Sequence, residues 1–226
     1  TSNLEEQIGT IWKLTDLIQQ GLWEEDANLI QLSFNSYDHL ARKEYVDEGS
    51  WLNLKSGKIY KTKNYRPYKA SKYIKEENSE SAIALLKELY VYPGDLNPRI
   101  RWEQSAKSER PITSEDIATI HSLASKNYAE LWKQIKNSIK NPLNDKNPIV
   151  LIALHKAILM DEYLVISDQE GNQVTLSNIS EFELPTATTL QAILPAENNN
   201  TSLVAMVNND VATGLFTLYP MSLITE

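Results

Sequence analysis

The sequence YLVISDQEGNQVTL, residues 163–176, decides the fold of the last third of the chain. It contains two short runs of β-forming residues, Tyr163–Ser167 and Gln173–Leu176, separated by turn-forming residues. Runs of the same kind follow at 182–184, 190–194, 203–208 and 215–219. Short strands at this spacing predict a small antiparallel β-sheet or a partly closed barrel over residues 149–226. The segment 149–160 fits either a helix or the first strand, because its periodicity does not distinguish them.

Upstream of this region the apolar spacing is mostly helical. Residues 4–20 and 113–140 each carry an apolar stripe with steps of three and four, which predicts amphipathic helices, and 83–90 predicts another. Thr113 is the predicted N-cap of the second of these helices. The same steps over 24–47 predict a long helix that begins in acidic residues. The alternation of apolar residues within Leu29–Phe34 indicates a short strand as the alternative.

A β-hairpin is predicted within this helical region. The runs Trp51–Leu54 and Lys58–Lys63 flank a turn that ends in Gly57. The sequence as a whole therefore predicts an α+β protein with two units. Residues 1–148 form a mainly helical unit with a β-hairpin, and residues 149–226 form an acidic β-rich unit.

Charge supports this division of the chain. The net charge is −8, yet residues 1–149 hold 21 acidic and 21 basic residues, whereas residues 150–226 hold nine acidic residues and one basic residue. The chain has no cysteine, which excludes disulfides and thiolate metal sites. The absence of cysteine also fits a reducing compartment, so a cytoplasmic location is expected.

The segment from Lys55 to Lys75 is the strongest candidate for ligand binding. It holds eight Lys or Arg residues, four tyrosines and no acidic residue. Cations alternating with aromatic rings are typical of surfaces that bind phosphates and stack on bases. The alternative is structural, with buried tyrosines and with lysines that pair with acidic groups of the same unit.

A second candidate lies in the turn-rich stretch YPGDLNPRIRW, residues 92–102. Arg99 and Arg101 point the same way from an extended backbone, and with Arg66 they would form one anion pocket. Pairing with a neighbouring acidic residue is the alternative for both arginines. The predicted anion-binding residues are Lys61, Lys63, Tyr65, Arg66, Lys69, Arg99 and Arg101.

No sequence motif predicts catalysis or a cofactor. The chain lacks the glycine-rich phosphate loops and the GxSxG nucleophile motif, and its three histidines show no metal-ligand spacing. We therefore predict no catalytic residue, no metal site and no cofactor, and an enzyme is the less favoured class.

Two stretches resemble uncharacterised bacterial proteins, some of which are assigned to the SWIM zinc-finger family. They are WLNLKSGKIYKTKNYRPYKASKYIKEENS with YPGDLNPRIRW, and ALHKAILMDEYLVISDQEGNQVTL with LYPMSLI. The resemblance excludes the zinc motif, which needs cysteines that this chain lacks. It implies a role in a bacterial multi-protein assembly, with an AAA+ ATPase or a von Willebrand factor A protein as partner.

Three functions follow from these observations. The first is a non-enzymatic interaction or scaffold protein with a protein partner, because the two parts of the chain differ in charge and no catalytic motif is present. The second is a nucleic-acid-binding module that uses residues 55–75. The third is an enzyme acting on an anionic small molecule near Arg66 and Arg99.

Overall fold

A computed structural model describes residues 12–142, 144–161, 163–178, 185–194, 197–210 and 214–225. The chain divides into two compact units, unit 1 up to Ile112 and unit 2 from Thr113. The sequence predicted a boundary after residue 148. The predicted strand 182–184 and the beginning of the predicted helix 4–20 lie outside the described residues. No helix in the described ranges is long and apolar enough to cross a membrane.

Unit 1 is built mainly of β-strands, so the prediction of a mainly helical N-terminal unit is wrong. Its only α-helix in the described part of the chain has six residues. The elements of unit 1 are α1 (Leu14–Gln19), β1 (Trp23–His39), β2 (Glu44–Asn53), β3 (Ile59–Pro67), β4 (Ile83–Val91), β5 (Ile100–Arg101) and β6 (Lys107–Arg110).

The predicted helix over 24–47 is instead the hairpin of β1 and β2, which pair from Leu29 opposite Asn53 to His39 opposite Glu44. The pairing is interrupted by an irregularity between Gln31 and Ser33. One inserted residue reverses the alternation of faces, so apolar residues recur at steps resembling those of a helix. The strand alternative at Leu29–Phe34 lies within β1.

The predicted helix over 83–90 is strand β4. This strand is hydrogen-bonded on both edges, to β1 on one side and to β5 and β6 on the other. Ile83, Ala84, Leu86 and Leu89 are all buried. A strand buried on both faces reads as a nearly continuous apolar run, which periodicity does not distinguish from a buried helix.

The strands of unit 1 follow the order β3–β2–β1–β4–β5. A parallel bridge between Lys61 and Arg99 also joins β3 to the residue before β5. At this β3–β5 bridge the Lys61 N–H donates to the Pro98 carbonyl at 3.1 Å. The predicted hairpin around Gly57 is confirmed, since β2 and β3 pair there in antiparallel fashion. The bridge gives β3 neighbours on both sides.

The core of unit 1 lies between these strands and contains Leu29, Trp51, Tyr60 and Leu89. Trp102 packs edge-on against Trp51 with the ring centroids 5.3 Å apart. The segment after β5 is thereby fixed against the sheet.

Unit 2 contains the predicted β-rich region and two preceding helices. The predicted strands Tyr163–Ser167 and Gln173–Leu176 are present with those bounds, and 149–160 is a strand. The predicted strand 190–194 lies largely in a helix. The elements of unit 2 are α2 (Ser114–Leu123), α3 (Tyr128–Ile139), β7 (Ile149–Met160), β8 (Tyr163–Ser167), β9 (Gln173–Leu176), α4 (Thr186–Ile193), β10 (Glu197–Asp210) and β11 (Leu215–Ile224).

The predicted helix over 113–140 is two helices. Thr113 caps α2 as predicted, since the Asp116 N–H donates to its hydroxyl oxygen at 3.3 Å. Between the helices, the Ser125 N–H donates to the Leu151 carbonyl at 2.9 Å, and the Ala153 N–H donates to the Ser125 carbonyl at 2.9 Å. These bonds to β7 use backbone groups that a continuous helix would need internally, so the helix is interrupted.

The five strands of unit 2 form a closed barrel in the order β7–β8–β9–β11–β10, and β10 pairs with β7. The pair β9–β11 is parallel and the other pairs are antiparallel. Helix α4 connects the third strand of the barrel to the fourth. The five main strands of unit 1 have the same neighbour order as the barrel strands of unit 2. In both units the parallel contact joins the third strand to the fifth. This is the strand order of the OB fold.

Candidate nucleic-acid interface

The basic segment from Lys55 to Lys75 covers the β2–β3 turn, all of β3 and the start of the connection to β4. Most of its cations near the sheet are paired within unit 1. The Lys58 ammonium lies 3.1 Å from a Glu24 oxygen, and the Lys63 ammonium lies 3.0 Å from a Glu48 oxygen. The Lys61 side chain is buried and its Nζ lies 3.7 Å from the other Glu48 oxygen. The segment is therefore much less positive than its sequence indicates.

Lys63 remains charged at neutral pH because of its position opposite Glu48 in the β2–β3 ladder. Burial would lower the pKa of Lys63, but the charge and hydrogen bond of Glu48 outweigh burial, and its pKa lies above the ordinary value. The Lys63 side chain is still about one third exposed, at 31%. The Lys63 side chain is therefore only partly covered despite the ion pair.

Arg66 serves the fold of unit 1. Its Nε and one terminal nitrogen donate to the two carboxylate oxygens of Asp47 at 2.9 and 2.8 Å, and both side chains are buried. The guanidinium also lies over the Tyr45 ring, 5.3 Å from its centroid. A planar two-point pair of this kind fixes both partners. Arg66 therefore offers little to a ligand.

The tyrosines of the segment divide between core and surface. Tyr60 is fully buried, and its hydroxyl donates to a Glu24 oxygen at 2.6 Å. Tyr65 and Tyr68 are partly exposed, and Tyr68 donates to Asp38. Tyr73 is 79% exposed. The structural alternative thus describes Tyr60, whereas Tyr65 and Tyr73 present ring surface to solvent.

A concave site of unit 1 lies where β3 meets the β4–β5 connection. It is a cleft of about 380 Å³ that includes Lys63, Arg99 and Arg101. We call it the cationic cleft. The β3–β5 bridge brings Arg99 beside β3, and the extended backbone places Arg101 on the same side. The complete lining is Thr62, Lys63, Asn64, Glu77, Tyr92, Arg99, Ile100, Arg101, Trp102 and Gln104.

The predicted anion residues are only partly brought together. Lys63, Arg99 and Arg101 line the cationic cleft, but Arg66 does not. Lys61 is buried beside the β3–β5 bridge, Tyr65 follows on β3, and Lys69 is exposed beyond its end. Within the described residues, neither Arg101 nor Lys69 forms an ion pair.

Aromatic rings form part of the cleft wall, which the sequence did not identify. The Arg99 guanidinium carbon lies 4.1 Å from the centroid of the Tyr92 ring, a cation–π contact. Trp102 also lines the cleft, and its indole nitrogen is buried without a hydrogen-bond partner among the described residues. Both rings belong to the same stretch as the two arginines, residues 92–102, in which Trp102 directly follows Arg101.

Glu77 is the only carboxylate among the described residues that line the cleft. Burial raises the pKa of Glu77, and the nearby charges of Asp47 and Glu80 raise it further. Its backbone N–H donates to Asp47 at 3.1 Å, which fixes its position. The negative charge of Glu77 therefore disfavours binding of an anion in the cleft. This effect decreases as the Glu77 carboxyl becomes protonated.

A neighbouring cavity of about 570 Å³ shares Asn64, Glu77, Trp102 and Gln104 with the cationic cleft. It also includes Glu76, Glu80 and Glu109 together with Lys75 and Lys107, and Lys107 pairs with Glu80 and Glu109. Its four carboxylates outnumber its two lysines, so it is less favourable for a polyanion than the cationic cleft.

No protein-family model matches the chain, and no curated protein shows a significant match to it. Some solved structures are similar at low TM-scores. The HIN domain of Ifi202 in complex with 20-bp dsDNA has 10% identity and a TM-score of 0.33, over 87% of this chain and 92% of that one. A murine DNA-binding protein bound to double-stranded DNA has 9% identity and a TM-score of 0.31, over 90% and 97%. At these TM-scores the similarity assigns neither a family nor a function to this chain.

Proposed function

We propose that unit 1 binds single-stranded nucleic acid in the cationic cleft. The observation that carries this proposal is the presence of Arg99, Arg101 and Lys63 beside two aromatic rings in one cleft. Grooves that bind single strands combine cations along the backbone with rings on which bases stack. The cleft is at the lower end of the volume range of ligand sites, about 300–1,000 Å³. It would hold one or two nucleotides of a longer strand.

The position of the cleft within the fold supports the same ligand class. OB folds bind oligonucleotides and oligosaccharides at the face of their second and third strands and at the loops joining strands 1–2 and 4–5. The cationic cleft lies at the third strand of unit 1, β3, and at the connection from β4 to β5. A fold permits many functions, so the side chains of the cleft, rather than the fold, carry the argument.

The cations have distinct roles in this proposal. Arg101 is exposed and lacks an ion pair within the described residues, so it contacts phosphate at little desolvation cost. Arg99, held against Tyr92, presents a guanidinium plane on which a base stacks. Lys63 contributes a positive charge that its ion pair with Glu48 partly neutralises. A cation contact to a phosphate releases counterions, which makes binding depend on salt.

Binding of a fluorescent oligo-dT to the whole protein, measured by anisotropy over a series of salt concentrations, tests this proposal. Arg101→Ala should weaken binding and reduce the magnitude of the log–log salt slope by about 0.7. Lys87→Ala is the matched control, because Lys87 is an exposed cation on β4 outside the cleft lining. Absence of oligo-dT binding at low salt, or an equal effect of both substitutions, would overturn the proposal.

The same assay with duplex DNA compares single-stranded with double-stranded ligands, and with oligo-U it compares DNA with RNA. Stacking of a base on the Arg99 guanidinium plane needs unpaired bases, so oligo-dT should bind more tightly than a duplex of the same length. Tighter binding of the duplex would contradict the single-strand assignment.

The interpretation as a bacterial interaction or scaffold protein, with an AAA+ ATPase or a von Willebrand factor A protein as partner, stays a prediction. No feature of the described residues favours it over nucleic-acid binding.

A further inference from the structure

Unit 2 contains a second polar cleft that is independent of the proposed nucleic-acid interface. Its volume is about 330 Å³ and its walls come from α2, the α2–α3 connection, β7, the β8–β9 turn and the start of β10. It brings together His121 and His155, which are far apart in sequence. We call it the histidine cleft. Its lining is His121, Ser122, Lys126, Ala153, Leu154, His155, Asp168, Gln169, Asn200, Thr201 and Ser202.

His121 is held in place by a hydrogen bond across unit 2. Its Nδ1 lies 2.8 Å from the hydroxyl oxygen of Ser202 on β10, and Ser202 is only 1% exposed. The other ring nitrogen, Nε2, is buried and has no hydrogen-bond partner among the described residues. A buried polar atom without a partner is unfavourable, because it has lost its hydrogen bond to water and gained none in return. A ligand oxygen bound to Nε2 would remove this cost.

Asp168 forms one wall, but its carboxylate is fully occupied. One oxygen accepts from the backbone N–H groups of Glu170 at 3.0 Å and Asn172 at 2.9 Å. The other accepts from the Tyr128 N–H and the Asn172 side-chain amide, both at 2.9 Å. Burial would raise the pKa of Asp168, but these hydrogen bonds outweigh burial and lower it. Asp168 therefore fixes the turn and has no oxygen left for a metal ion or a ligand hydroxyl.

The remaining polar side chains of the lining can all donate hydrogen bonds. Lys126 is exposed and carries a positive charge, and it forms no ion pair in the described part of the chain. His155 makes no hydrogen bond with a described residue. The described residues include no group of three or more side chains able to hold a metal ion. The cleft thus lacks the ligands of a metal centre and has those of an oxyanion site.

We propose that the histidine cleft binds the phosphate group of a small phosphomonoester. Lys126, His121 and His155 would contact the phosphate oxygens, and the hydroxyl of Thr201 and the amide of Gln169 would contact the organic part. A phosphomonoester fits better than a phosphodiester strand, because its three terminal oxygens can contact three nitrogen groups, whereas a diester has only two such oxygens. The cleft volume also matches a phosphate with one sugar-sized group.

Titration of the whole protein with inorganic phosphate and with ribose 5-phosphate, followed by the histidine ring proton signals in NMR spectra, tests this proposal. Ionic strength and pH are held constant. The signals of His121 and His155 should both move and saturate, and that of His39, which lies in unit 1, should not. Ribose 5-phosphate should bind more tightly than inorganic phosphate.

Variants identify the groups responsible. Lys126→Ala and His121→Gln should each weaken ribose 5-phosphate binding at least about tenfold, equal to 1.4 kcal/mol. Lys133→Ala is the matched control, since Lys133 is an exposed lysine on α3 outside the cleft lining. The spectrum of Lys126→Ala should otherwise match that of the parent protein, which shows that the fold persists.

Three results would overturn the proposal. They are unchanged histidine signals at saturating ribose 5-phosphate, equal weakening by Lys133→Ala and Lys126→Ala, and displacement of ribose 5-phosphate by oligo-dT. The last result would assign the cleft to a nucleic-acid strand. Loss of oligo-dT binding in Arg101→Ala leaves the histidine cleft intact, so this inference and the proposed function fail independently.

Discussion

Arg66 and Asp47 form a buried two-point ion pair on adjacent strands of unit 1, with nitrogen–oxygen distances of 2.9 and 2.8 Å. Asp47 also accepts from the Ser36 hydroxyl, the Asn64 amide and the Glu77 N–H. The pair therefore joins β1, β2 and β3 to the connection that leads to β4. An arginine that looked like a ligand group in the sequence is an internal cross-link of the sheet.

Arg66→Ala should lower the free energy of unfolding by about 3–5 kcal/mol, because it leaves the Asp47 charge buried without its partner. Arg66→Lys should lose less, since it keeps the charge but not the two-point geometry. Urea denaturation of both variants measures the effect. Lys69→Ala, an exposed neighbour in sequence, should stay within about 0.5 kcal/mol of the parent protein. An Arg66→Ala protein as stable as that control would contradict the structural role.

Acid should weaken unit 1 through the same pair. Burial would raise the pKa of Asp47, but Arg66 and the other donors outweigh burial and hold it below the ordinary value of 3.8. A depressed pKa stabilises the fold above pH 3.8, and this contribution is lost as pH falls through the pKa of the folded state. Asp47→Asn should therefore be less stable at neutral pH and should lose less stability below pH 3.8 than the parent protein. Parallel stability curves for the two proteins would show that Asp47 does not titrate in this way.

Glu77→Gln should strengthen oligo-dT binding near neutral pH, because it removes the only carboxylate that the described residues contribute to the cationic cleft lining. The raised pKa of Glu77 also means that the folded state favours the neutral carboxyl, so the variant should be at least as stable as the parent protein. Affinity of the parent protein should rise as pH falls toward the pKa of Glu77, and this rise should be smaller in the variant. Anisotropy titrations at several pH values measure both effects, with Glu88→Gln, an exposed site on β4, as the control. Equal pH dependence in all three proteins would exclude Glu77 from the site.

Gly49→Ala should destabilise unit 1 by about 1–3 kcal/mol through overpacking. A Cβ atom at this position would lie 2.8 Å from the Thr62 hydroxyl and 2.8 Å from the Trp51 indole nitrogen. These two groups hydrogen-bond to each other at 3.0 Å over the glycine. Thermal unfolding measures the loss. Adding Thr62→Ala to Gly49→Ala should recover part of it, and the absence of any recovery would place the strain elsewhere.

The sequence predicted elements whose determinants are local. Tyr163–Ser167 and Gln173–Leu176 were predicted with the observed bounds because a turn cluster separates them. The Thr113 cap was predicted because its partner is three residues away. The prediction over 24–47 was wrong because the irregularity at Gln31–Ser33 arises from pairing with a distant strand.

The candidate sites show the same limit. Charge density along the chain identified Lys63, and the extended spacing in residues 92–102 identified Arg99 and Arg101; these three residues line one cleft. Charge density also identified Lys61 and Arg66, whose acidic neighbours come from β2, a separate strand. His121 and His155 line one cleft, and the α2–α3 connection that follows His121 is hydrogen-bonded to β7, which carries His155. The spacing of residues along the sequence does not predict which distant segments the fold brings together.

The β3–β5 bridge makes the Lys61 amide proton a reporter for the neighbouring cleft. Its hydrogen bond to the Pro98 carbonyl must break before this amide can exchange with solvent. Arg99 forms the other half of the bridge and also lines the cationic cleft. A nucleic-acid strand bound at Arg99 would thus reduce local opening of the β3–β5 bridge. It would slow deuterium uptake at the Lys61 amide without having to touch that amide. Deuterium uptake at the Lys61 amide would therefore report how far the cleft is occupied, because binding shifts the local opening equilibrium of the sheet.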